Sequence, residues 1–258
     1  MLYEELLNSC KQQFDDFFKN INLFENQFKW SEFNNKCYKL MFIQNSPDKI
    51  FTVKELKEKI QELKNTCKKC GNYYIPARNK SMPKYDVIMG KQHEYALMRF
   101  LENKLGAKNE RADLENRNMP DCKVLNSDGS VAAYYEVKFH GAPFVMAFTK
   151  TGRYCYEGSA TLDYKKIEKQ LNLVKDTLDA PLYYVHWIDY PCLKGIFYET
   201  SEQVKNYISK EKTIFERKKR DGDELKNKSS IYLEKIYSPL LDMKNFESFI
   251  KEIQSLLT

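Results

Sequence analysis

Asp121, Glu136 and Lys138 are three residues whose types and spacing could do chemistry together. They flank Ser127-Asp-Gly-Ser130, and Asp-Gly between two strand-like segments is among the strongest short hairpin signals. With Asp128 and Gly129 as the two central residues, Ser127 faces Ser130, and the numbers of antiparallel partners sum to 257. Asp121 then stands opposite Glu136, with Cβ atoms about 4.5–5.5 Å apart. Two carboxylates so placed repel each other, and a divalent cation relieves the repulsion. Mg²⁺, with Mn²⁺ as its substitute, usually binds one or two carboxylates together with water and phosphate oxygens. Lys138 lies on the strand face of Glu136, roughly 7 Å along. Its ammonium could hold an attacking water or neutralise charge on a phosphoryl transition state.

Helices and strands must position these groups. Leu2, Leu6, Cys10, Phe14, Phe17 and Phe18 recur at helical spacing, and the stretch from Leu2 to about Ile43 is predicted helical. Thr52-Val-Lys-Glu55 forms a capping box for a second helix to about Thr66. Residues 72–90, with Pro76, Pro83 and Gly90, suggest a loop or linker. Gln92 to Leu105 is a helix stopped by Gly106, and it puts Glu94 in line with Met98, Leu101 and Leu105. A carboxylate on such a stripe needs a partner. The hairpin strands run over Cys122–Asn126 and Val131–Phe139. Tyr164–Leu178 is amphipathic, with Gln170 at the margin of its apolar stripe. Leu182–Ile188 and Leu193–Tyr198 suggest strands, Ser201–Ile208 a helix, and Ile231–Leu257 a mostly helical tail. The order implies an α/β or α+β core (residues 86–258) behind an N-terminal helical module (residues 1–85), an accessory or DNA-recognition unit, though such helices could equally be ordinary core packing.

Met119-Pro120-Asp121, followed at a distance by Glu136-Val-Lys138, resembles the PD-(D/E)xK nuclease superfamily, which includes most type II restriction endonucleases. The resemblance spans about residues 88–200. It implies a mixed central sheet flanked by helices. It implies Asp121 and Glu136 as metal ligands and Lys138 as the residue attending the water. It adds Glu94, from the helix before the hairpin, as a metal or metal-water ligand, and Gln170, from the helix after it, as an auxiliary catalytic residue. The activity expected is Mg²⁺-dependent endonucleolytic hydrolysis of double-stranded DNA by a homodimer of restriction-enzyme type. A structure-specific repair or junction nuclease on the same core is the second enzyme reading, and a non-catalytic nucleic-acid-binding protein stands outside enzymology.

Composition bounds these readings. With 42% hydrophobic residues among 258, the chain can build a sizeable core, and 9 glycines and 8 prolines exclude a low-complexity chain. No apolar run approaches a membrane span, so a soluble, cytoplasmic protein is expected. The net charge of +6 permits a polyanionic partner without demanding one. Candidate phosphate contacts are His140, Lys150 and Arg153, with Glu216-Arg-Lys-Lys-Arg220 as a second basic run; such runs are also common on plain solvated faces. Seven cysteines without an export signal suggest free thiols. Cys67-Lys-Lys-Cys70-Gly71 is half of a zinc knuckle; with no second close pair, Zn²⁺ would need distant ligands, and two reduced thiols in a tight turn is the other reading.

Overall fold

The computed structural model describes residues 2–20, 83–141, 160–189, 194–210, 214–218 and 232–258. It is an α+β fold built on a mixed six-stranded sheet. The sheet strands are β1 (Asn109–Arg111), β2 (Cys122–Leu125), β3 (Val131–His140), β5 (Leu182–Asp189), β6 (Lys194–Thr200) and β9 (Lys244–Asn245), in spatial order β1-β2-β3-β5-β6-β9. The β3–β5 pair is parallel and all others are antiparallel. A second sheet of three strands, β4 (Ala160–Asp163), β8 (Tyr232–Ser238) and β7 (Ile214–Lys218), is antiparallel throughout.

Alternation along the central strands separates two apolar layers. Tyr135, Val137, Tyr183, Val185, Trp187 and Tyr198 face one side. There they pack against α1 (Leu2–Asn20), α2 (Pro83–Leu105) and α5 (Phe246–Leu256). Tyr134, Leu182 and Tyr184 face the other side, under α3 (Tyr164–Asp176), α4 (Ser201–Ser209) and β8, whose Ile167, Val204 and Ile236 are buried there. The first layer is held by an aromatic cluster. Phe249 is fully buried with its ring 5.1 Å from Tyr198, 5.8 Å from Tyr183 and 6.3 Å from Tyr135. Phe249→Ala therefore removes the common neighbour of three rings, and a loss of roughly 3–5 kcal/mol is expected in urea unfolding. A loss below about 1 kcal/mol would show that the layer closes over the gap.

Several boundaries differ from those the residues suggest. The helix carrying Glu94 begins at Pro83, not near Gln92, so residues 83–90 are helix rather than linker. Proline suits a first helical turn, where its missing N–H costs nothing, and Gly90 lies inside the helix with open space around it. Gly106 ends this helix in the left-handed conformation (φ 66°), as its position predicts. The tail is not mostly helical: residues 232–238 are the central strand of the small sheet, and a two-residue strand precedes the last helix. Helix α1 shares the main apolar layer through Leu2, Tyr3, Leu6 and Cys10, so this part of the 1–85 module is core packing. The helix from Thr52 and the pair Cys67 and Cys70 lie outside the described residues. No described helix is long and apolar enough to cross a membrane.

Candidate active site

The β2–β3 hairpin reaches the expected register by a different route. Asn126 and Ser130 close the turn: Asn126 N–H donates to Ser130 O at 2.8 Å, and Gly129 N–H donates to Asn126 O at 3.0 Å. Gly129 takes φ 86°, which favours glycine. The loop is thus one residue longer than a two-residue turn. An irregularity between Val124 and Leu125 then restores the count, with Leu125 opposite Val131 but Val124 opposite Ala133. Beyond it, Val124, Lys123 and Cys122 pair with Ala133, Tyr134 and Tyr135, the register that continues to Asp121 and Glu136.

Asp121 stands at the entrance to β2, buried, and its Oδ2 accepts a hydrogen bond from Val137 N–H at 2.9 Å. Glu136 is fully buried on the neighbouring strand, and its Oε2 accepts from Gln170 Nε2 at 2.8 Å. Each carboxylate therefore has one oxygen fixed by the protein. The remaining oxygens, Asp121 Oδ1 and Glu136 Oε1, converge on one cationic atom, Lys166 Nζ, at 3.2 and 2.5 Å. Lys138 Nζ meets the same Glu136 Oε1 at 2.5 Å. The two lysine side chains keep 24% (Lys138) and 28% (Lys166) of their surface exposed, so this corner of a buried site opens to solvent.

The electrostatics follow from burial and charge. Burial and the Glu136 charge push the Asp121 carboxyl up to about 7, against the pull of Lys138 and Lys166. Burial would raise Glu136 too, but Lys138 and Lys166 outweigh it and hold the carboxyl down at about 2. Burial opposes the Lys138 charge, while Glu136 and Asp121 more than restore it, so the ammonium titrates above its ordinary range. The site is one ionised glutamate, an aspartate poised to lose its proton near neutrality, and two ammonium groups.

This donor set fits a hard divalent cation. Two carboxylate oxygens aimed at a single point are a set that Mg²⁺ accepts together with water or phosphate oxygens. It does not fit an all-protein cage: no group of three or more His, Cys, Asp or Glu with metal-holding geometry occurs among the described residues.

The structure thus brings together Asp121, Glu136, Lys138 and Gln170. Gln170, expected at the margin of its stripe, is fully buried, and its Oε1 has no hydrogen-bond partner among the described residues. Glu94 is turned elsewhere. Its Oε2 pairs with Arg111, which also holds Asp113 at 2.7 Å, so Glu94 is directed to a guanidinium and not to the acid pair. Its charge still adds a small upward push on Asp121. The apolar stripe of α2 runs through His93, Ala96, Leu97, Phe100 and Leu101, which leaves Glu94 at its edge. Lys166 is absent from the sequence reading. It stands four residues before Gln170, on the same face of α3, and that spacing was the available signal.

His140 is not placed to touch DNA. It is buried, and its Nε2 lies 3.0 Å from His186 Nδ1, whose Nε2 lies 2.9 Å from Glu199 Oε1. Lys150 and Arg153 lie outside the described residues; of the run 216–220, Glu216 is exposed at the edge of the small sheet.

The buried His140–His186–Glu199 chain sets a test of stability. Burial pushes Glu199 up to about 8 against the pull of Ser238 beside it, and pushes His186 down to about 3. A carboxyl raised on folding is favourable while protonated, and that contribution is lost as pH rises from its unfolded value, near 4.5, through about 8. Glu199→Gln removes the loss. The variant should therefore gain on the wild type between about pH 5 and pH 8.5, by roughly a few kcal/mol at most. Urea unfolding of both proteins at the two pH values measures it; a stability difference that stays constant with pH would mean Glu199 does not titrate there.

No family model matches the chain, and no curated protein matches it. Among solved structures, a nuclease from a fusselovirus aligns with 67% of this chain and 91% of its own, at 13% identity and a TM-score of 0.36.

Proposed function

We propose that this protein is a Mg²⁺-dependent endodeoxyribonuclease of the PD-(D/E)xK kind, and specifically a restriction-type enzyme acting on double-stranded DNA. One observation carries the reading. Asp121 and Glu136 each have one oxygen pinned by the protein, and their other oxygens meet at one point beside Lys138, held here by the Lys166 ammonium. A structural ion pair has no need of two opposed acids. When bound, a divalent cation supplies Lewis acidity and an activated water. Asp121 and Glu136 would hold that cation. Val137 N–H and Gln170 fix the two carboxylates so that no rotation is needed as charge develops. Lys138, kept protonated by Glu136 and Asp121, faces the same point and neutralises charge on the phosphate in the transition state. Cutting both strands of a duplex takes two such centres, and a homodimer is the arrangement proposed.

Incubation with plasmid and phage DNA, with Mg²⁺ or with EDTA, tests the reading. Discrete Mg²⁺-dependent bands support a restriction-type enzyme. A smear, or cutting confined to junctions and flaps, keeps the nuclease and removes sequence specificity. Intact DNA under all conditions overturns catalysis and leaves a binding protein. Sedimentation of the protein alone and on a duplex tests the dimer.

A further inference from the structure

We infer that Lys166 is an internal counter-ion that occupies the metal position until metal and DNA arrive together, and that a backbone phosphate then receives its ammonium as the metal takes its place. This rests on the metal-dependent reading above. Lys166 Nζ bridges Asp121 Oδ1 and Glu136 Oε1, the two oxygens that Val137 N–H and Gln170 leave for a cation. An ammonium and a metal ion cannot share that point. Lys138 holds Glu136 Oε1 as well, from the strand beneath, so Glu136 keeps a positive neighbour when Lys166 leaves. Lys166 is free to leave. It sits in the first turn of α3 on a flexible four-carbon stem, with 28% of its side chain in solvent.

Charge balance gives the direction. Asp121, Glu136, Lys138 and Lys166 sum to zero with both acids ionised and to plus one with Asp121 protonated, so the closed cluster has no net negative charge to attract a dication. Adding a dication without an anion leaves an excess of at least two positive charges in a largely buried site, which is costly. A phosphodiester supplies negative charge and gives the released ammonium a new partner at the same moment. Metal and DNA binding are therefore coupled through Lys166, and metal loading is weak until substrate is present.

Two measurements on the full chain test this. The first is Mn²⁺ binding without DNA, read from the free-ion electron paramagnetic resonance signal. Lys166→Met and Lys166→Gln should each bind Mn²⁺ at least about tenfold more tightly than wild type, because a positive charge has left the site. The double variant Asp121→Asn with Lys166→Met should lose that binding. The two single variants differ in polarity, and circular dichroism melting shows that each is folded. The second is the salt dependence of affinity for a labelled duplex. With Ca²⁺, loss of Lys166 should lower the slope of log affinity against log salt by about one unit; in EDTA the slope should not change, since Lys166 then stays on the acids. Equal, Asp121-dependent Mn²⁺ binding by wild type and variants overturns the counter-ion role and keeps the metal site. A lower slope in both Ca²⁺ and EDTA makes Lys166 an ordinary phosphate contact, and no drop in either means it never reaches phosphate; both overturn the transfer. Mn²⁺ binding that ignores Asp121 overturns the metal-dependent reading itself.

Discussion

Asp121→Asn is expected to lower DNA cleavage by roughly 10³-fold or more while leaving DNA affinity unchanged or higher. The substitution is nearly isosteric. The amide oxygen can still accept from Val137 N–H, the bond that anchors Asp121 at the entrance of its strand. What disappears is one of two charged oxygens aimed at the cation position, where Lys166 Nζ stands 3.2 Å from Asp121 Oδ1. Removing one negative charge also lowers repulsion of phosphate, so binding should not suffer. Plasmid nicking under single-turnover conditions with Mg²⁺ measures the first effect, and anisotropy of a labelled duplex in Ca²⁺ the second. A variant that cuts at the wild-type rate would remove Asp121 from the metal and with it the central assignment.

The local signals that were legible in the sequence concern the hairpin. Asp128-Gly129 located the turn, and strand alternation placed Glu136 and Lys138 on one face. The register at the acid pair came out as the simple count gives it only because two deviations cancel: a longer loop at Gly129 and the irregularity between Val124 and Leu125. Neither deviation has a sequence marker strong enough to expect it. The small sheet was illegible for another reason. Residues 232–238 pair with Ala160–Asp163 on one side and Ile214–Lys218 on the other. Those partners are distant in sequence, and an apolar, aromatic segment alone does not say whether it is strand or helix. Glu94 shows the limit of a stripe argument. Its helix does hold an apolar face, but the carboxylate finds its partner in Arg111, which belongs to the first strand of the sheet and has no sequence relation to Glu94. Lys166 was legible in principle, since Gln170 was already singled out and the residue one helical turn before it lies on the same face.

Lys138→Ala is expected to lower the single-turnover cleavage rate by roughly 10²- to 10³-fold with only a small loss of DNA affinity. The two lysines of the site separate on position. Lys166 enters from the helix and bridges both acids, whereas Lys138 rises from the strand that carries Glu136 and, among the described residues, pairs with that glutamate. Against the opposing effect of burial, its acidic neighbours Glu136 and Asp121 keep Lys138 charged throughout the accessible pH range, so in the proposed mechanism it is an ammonium beside the reacting phosphate. A charge fixed there acts on the extra negative charge that develops in the transition state, and a loss confined to that state appears in the rate, not in affinity. A lysine that only clamps the backbone behaves differently. Its removal weakens binding to all duplexes alike and lowers the salt slope by about one unit. Single-turnover cleavage in Mg²⁺ at saturating protein, paired with salt-dependent binding in Ca²⁺, distinguishes the two. If the variant loses affinity and keeps its rate, Lys138 is a phosphate clamp, and the pairing of Glu136 with Lys138 no longer argues for a catalytic strand.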